Sequence, residues 1–137
     1  MWQKSFSLTT KEVTKEKIWS VLTDINNWNT WDKDIEWTKL EGEAKLGANF
    51  FLKPKGGPKT KLTISIFDKP NVFADISHLP LAKMHTIHTF SDTPVGVKIE
   101  VTIKVIGLLT FLWSKVIAQK QIDGGLLQTN QLIEKAR

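Results

Sequence analysis

The C-terminal stretch, Gly107 to Arg137, restricts the fold more than any other. It reads GLLTFLWSKVIAQKQIDGGLLQTNQLIEKAR, and apolar residues recur at Phe111, Ala118, Ile122, Leu126 and Ile133, near the three-to-four spacing of one helical face. Lys115, Lys120, Lys135 and Arg137 fall elsewhere on the wheel or at its end. The spacing predicts one long amphipathic helix over 110–136. Most helix stability comes from burying such a face, so the rest of the chain must provide a surface for it.

The rest of the chain reads as a sheet. Trp2 to Thr9 alternates as a first strand. Thr14 offers a helix N-cap, with Val13 as a staple, ahead of Ile18, Trp19 and Leu22. A second helical piece, Ile25-Asn26-Asn27-Trp28-Asn29-Thr30-Trp31-Asp32, carries three asparagines and should be bent or broken. Strands follow over 35–40, 49–53, 62–66, 72–79, 83–90 and 97–105, with Gly-, Pro- and Asp-rich punctuation between them. The last is the clearest: Val97, Ile99, Val101, Ile103 and Val105 alternate with Lys98, Glu100, Thr102 and Lys104, one face buried and one wet. Short turns imply an antiparallel meander. The expected fold class is α+β, in one domain spanning 1–137. A curved antiparallel sheet of about seven strands follows, with two short helices after the first strand and the long terminal helix packed across it.

A chain of 137 residues can hold one core without disulfides or metal. It has no cysteine, which removes disulfides, thiolate ligands and cysteine nucleophiles together. No apolar run nears the roughly 18 residues that span a bilayer, and MWQKSFSLTT has no apolar signal core, so a cytoplasmic protein with no membrane span is expected. The net charge is +5, and Lys53, Lys55, Lys59 and Lys61 flank Gly56-Gly57-Pro58. A solvated hairpin tip whose lysines discourage edge pairing accounts for them. Aromatics do not interleave with them as single-strand binding requires, so no nucleic-acid partner is expected.

Local patterns in this order resemble the START-related SRPBCC superfamily, the helix-grip or birch-pollen-allergen-like fold, and within it the polyketide cyclase/dehydratase-like branch. Ile18-Trp19 with Leu22, Asp24, Trp28 and Trp31 is similar to that superfamily's run across the first two helices. Gly47, Phe67-Asp68-Lys69-Pro70 with Phe73, Leu79-Pro80-Leu81 ahead of His88-Thr89-Phe90, and Gly107-Leu108-Leu109 with Phe111-Leu112 match its later turns. Asn29-Thr30 departs from it, since many members carry a proline before the second tryptophan. The resemblance implies a cavity between curved sheet and long helix. It also implies functions as different as hydrophobic-ligand binding, aromatic ring cyclisation and protein association, among which fold does not choose.

The expected function is non-covalent binding of a small hydrophobic molecule, whether lipid, aromatic or polyketide-like, in that cavity. The expected lining is Trp28, Trp31, Phe50, Ile64, His88, Phe90, Ile99, Ile103, Ile122 and Leu126. A cyclase or dehydratase-like enzyme is the alternative, with His88 moving a proton. A protein–protein module of the same fold is the third reading. His88 shares strand parity with Met84, Thr86 and Phe90, whereas His85 should face the other way. That separation, with no H-E-x-x-H motif, leaves no expected metal or other cofactor. Asp75 and Asp123 are possible acids but are expected at the surface, the usual place for a carboxylate. Gly124-Gly125 inside the helix costs about 1 kcal/mol per glycine against alanine. Close packing on the sheet or a kink is the first explanation, and room for the cavity the second. Trp113 is expected near the cavity entrance.

Overall fold

The computed structural model covers residues 1–137. Seven strands form one antiparallel sheet: β1 (Trp2–Thr10), β2 (Ile35–Leu40), β3 (Asn49–Pro54), β4 (Thr60–Asp68), β5 (Val72–Leu79), β6 (Ala82–Thr93) and β7 (Gly96–Gly107). Their order across the sheet is β1-β7-β6-β5-β4-β3-β2. Strands 2 to 7 are therefore a meander. The exception is β1, which pairs with β7 from Trp2↔Val105 to Thr10↔Val97. Helix α1 (Lys15–Leu22) and a 3-10 helix, Ile25–Thr30, carry the chain from one sheet edge to the other. Thr14 caps α1 by accepting from the Lys17 backbone N–H at 3.3 Å. The asparagine-rich segment takes the tighter 3-10 turn.

The alternation read from β7 holds in space: Val97, Ile99, Val101, Ile103 and Val105 are all buried. In β4 it does not hold throughout. A register shift between Ile64 and Ile66 turns Ile66 to the surface and brings Phe67 inward, 5.1 Å from the Trp19 ring. A bulge adds one residue to one strand and so exchanges the faces beyond it. The core is continuous from α1 across the sheet, with Trp28 edge-on to Phe50 at 5.3 Å and to Phe73 at 6.4 Å.

The single helix expected over 110–136 is one helical path in four pieces. Helix α2 (Thr110–Trp113) runs into a π turn, Ser114–Ala118, then α3 (Gln119–Asp123) and, after a break at Gly124, α4 (Gly125–Ala136). A π turn holds an extra residue, so a 3.6-residue pattern read through it loses phase. Phe111, counted on the buried stripe, is 68% exposed as a result. In α4 the buried line is Gly125, Thr129, Leu132, Ile133 and Ala136. Leu126 stands about 100° round from Gly125 and is 50% exposed. Gly125 faces β1, where a Cβ would stand 2.2 Å from the Phe6 ring. Close packing therefore explains Gly125, and the helix is interrupted at Gly124. Trp113 is a strut, not an entrance residue: its indole N–H donates to the Pro80 carbonyl at 2.8 Å and ties α2 to the β5–β6 turn.

Candidate functional site

β5 and β6 pair with Asp75 opposite Thr86, Phe73 opposite His88 and Ser77 opposite Met84. Cross-strand partners share a sheet face, so Asp75, Ser77, Thr86 and His88 look the same way, toward the terminal helix. They form the floor of a cavity of about 290 Å³. Trp28, Trp31 and Leu22 wall one side, Leu52, Leu62 and Leu79 belong to the sheet, and Ile117, Lys120, Gln121, Gly124 and Gln128 close the top. Both glycine explanations thus hold, one for each residue: Gly125 packs and Gly124 lines. Asp32 joins the 3-10 segment to the helix, because the Gln128 side-chain amide donates to its Oδ2 at 2.6 Å. Its Oδ1 accepts the Asp34 backbone N–H at 2.9 Å.

Three of the ten residues expected to line the cavity do so: Trp28, Trp31 and His88. Phe50, Ile64, Phe90, Ile99 and Ile103 are instead packed into the core, each at most 2% exposed. They do point inward, as their strand parity requires, but core side chains fill the space in front of them. Ile122 packs at the core margin and Leu126 faces solvent. Asp75 departs from expectation in the other direction. It is 4% exposed, on the cavity floor, not at the surface. The sequence signal was its parity with Phe73 on a strand whose core face that phenylalanine marks. Asp123 behaves as a surface carboxylate and accepts from the Gln119 amide at 2.9 Å.

The electrostatics of the floor follow from its burial. Burial pushes the Asp75 carboxyl up to about 7, and desolvation is the whole cause, with no donor or cation set against it. Burial pushes His88 down to about 4, against a weaker upward pull from a hydrogen bond to the Phe73 backbone. The ring lies between Phe73, centroid 6.3 Å away, and Phe90, 6.5 Å away. Near neutral pH His88 is therefore an uncharged imidazole beside a carboxyl poised to gain or lose its proton. Nδ1 of that ring is buried and has no hydrogen-bond partner. Trp31 Nε1 is the other buried group with none. Trp28 Nε1 donates to the Leu22 carbonyl at 2.8 Å.

His85 lies on the other sheet face, opposite Ile76 and Lys104, and His78 is exposed with its Nε2 2.8 Å from the Thr63 hydroxyl. No three His, Asp or Glu side chains come together as a metal-holding group.

No family model matches the chain, and no curated protein does. Solved structures do match, over nearly all of it. A hypothetical protein of Helicobacter pylori, jhp0584, superposes with a TM-score of 0.79 at 13% identity, over 99% of this chain and 88% of that one. Ara h 8.0201 superposes with a TM-score of 0.72 at 12% identity, over 98% of both. The two-domain ARO/CYC protein StfQ of the steffimycin biosynthetic pathway gives 0.72 at 13% identity, over 98% of this chain and 49% of that one. Identities this low speak to architecture alone. The chain has the helix-grip α+β fold expected from its sequence.

Proposed function

We propose that this protein binds a small, largely apolar molecule non-covalently in the cavity between its sheet and its terminal helix. The observation that carries the reading is the cavity itself, about 290 Å³, walled by tryptophan and leucine and floored by buried polar groups that lack partners. An apolar cavity of about 150 Å³ holds one benzene ring, so this one suits a molecule of about two rings. Burial of the ligand's apolar area, at about 25 cal/mol per Å², drives binding. Trp31 Nε1 and the Asp75–His88 floor orient its polar atoms. Ara h 8.0201 and StfQ share the fold and do not choose the ligand.

Native mass spectrometry of the protein as purified, followed by solvent extraction, tests the reading. A discrete co-purified compound of this size supports it. A clean apo mass, with no retention from a panel of lipids and aromatics, overturns it.

A second reading has one specific observation behind it. Asp75 and His88 are diagonal neighbours on one sheet face, and their environments push their proton affinities apart. A protonated Asp75 could donate and a neutral His88 accept, as a cyclase or dehydratase-type enzyme would require. Loss of turnover in both Asp75→Asn and His88→Gln, with binding retained, supports this reading. Turnover unchanged in either overturns it. An exposed apolar strip, Leu108, Phe111, Leu112 and Val116, is what a surface module would use. The open interior fits ligand binding better.

A further inference from the structure

The polar floor narrows the ligand class, and this step rests on the binding reading above. The chain as a whole is basic, with a net charge of +5. The cavity is not: its ionisable lining is Asp32, Asp34 and Asp75, with Lys120 and His88. Asp32 already has partners in the Asp34 N–H and the Gln128 amide. Asp75 has none, although it is buried. A buried carboxyl with neither donor nor counter-ion is a costly element in a protein interior. Its neighbour on the same floor, His88, has a ring nitrogen, Nδ1, that is also unpartnered. Asp75 is thus short of a donor and of a counter-ion, while the walls are indole and aliphatic and hold one unpartnered donor, Trp31 Nε1.

We propose that the cavity takes a small organic cation, a hydrophobic amine of about two rings, whose ammonium group pairs with Asp75. The ammonium supplies the donor that Asp75 lacks, and its charge supplies the missing counter-ion. The apolar body lies against Trp28 and Trp31, whose ring faces attract a cation's charge as well as its carbon skeleton. A carboxylic acid of the same shape meets Asp75 with a like charge and is excluded. An alcohol of the same shape fills the cavity but leaves the carboxylate without a counter-ion.

The test is calorimetric titration of the intact protein with three matched probes: 1-naphthylmethylamine, 1-naphthalenemethanol and 1-naphthoic acid. At pH 8 the amine is expected to bind at least tenfold more tightly than the alcohol, and the acid not at all. From pH 8 to pH 5 the amine should weaken by tenfold or more while the alcohol holds within threefold. The groups facing Asp75 over that range are His88 from β6, Lys120 from α3, and Asp32 and Asp34 from the segment before β2. Asp75→Asn should bring the amine-to-alcohol ratio to within threefold of one. Alcohol binding as tight as or tighter than amine in the unmodified protein overturns the cation assignment and leaves cavity binding standing. Failure of all three probes overturns both. The three-probe comparison on the unmodified chain needs no variant to fold.

Discussion

Replacing Asp75 with asparagine should stabilise the protein at alkaline pH and leave it unchanged in acid. In the native chain the carboxyl titrates near 7 rather than at its ordinary 3.8, because it is desolvated. Between about pH 4 and 7 the native state therefore holds a proton that the unfolded state has lost. Stability falls as pH rises through that interval, and above it the native state carries an unpaired buried charge. At about 1.36 kcal/mol per tenfold, the displacement corresponds to about 4 kcal/mol at most. His88 acts in the opposite sense. Its ring titrates near 4 instead of 6.5, so the unfolded state binds the extra proton between those values and stability rises with pH there, by about 3 kcal/mol. The two slopes nearly cancel between pH 4 and 6.5 in the unmodified protein, which should show an almost flat stability profile. Asparagine keeps the shape and cannot ionise. At pH 4 the variant and the parent should unfold together. At pH 8.5 the variant should be more stable by about 2–4 kcal/mol, a shift of about 1–2 M in urea midpoint for a slope near 2 kcal/mol per M. Tryptophan fluorescence reports the transition, and six tryptophans supply the signal. Superimposed curves at pH 8.5, or a less stable variant, would refute the account of Asp75 as a buried and unpartnered carboxyl.

Three further outcomes are expected. His88→Gln removes the rising limb, so stability of that variant should drop by about 3 kcal/mol between pH 4 and 6.5, where the parent is flat; denaturant titration at both pH values reads it. Leu132→Ala should cost about 2–5 kcal/mol and Leu126→Ala less than about 1, since the first is 3% exposed and the second 50%; equal losses would mean the wrong helix face has been assigned. Gly125→Ala should lower stability by about 1–2 kcal/mol, overpacking against Phe6 outweighing the gain in helix propensity. Phe6→Leu in that background should return part of the loss, and strict additivity in the double-mutant cycle would contradict the contact.

The strands and turns were legible in the sequence because a period of two is a local property. β7 alternates without interruption, and Asp68-Lys69-Pro70-Asn71 marks the turn from β4 to β5 whatever lies around it. The cavity lining was not legible in the same way. Parity says that Ile64, Phe90, Ile99 and Ile103 point inward, and they do. Whether an inward side chain meets other side chains or open space depends on the β4 bulge, the sheet's curvature and the height of the helix above it. None of these is written in one segment. The buried face of the helix is hidden for a related reason, since a π turn and a break at Gly124 leave a continuous helical path but reset its phase. Asp75 was hidden by frequency: carboxylates are so seldom buried that its core parity counted for less than it should.

The contact between Gly125 and Phe6 has a mechanical consequence. It fixes one point of the helical path against β1, with nothing but a hydrogen atom between backbone and ring. From there to Ile117, which lines the cavity, is eight residues, about 12 Å of helix at 1.5 Å per residue. The segment is a lever with its fulcrum at position 125 and the helix break beside it at Gly124. A rotation of about 5° at that fulcrum lifts the far wall by about 1 Å over a length set by the helical rise. The width of the cavity is thus governed from a position outside it, by the thickness of whatever stands between α4 and Phe6.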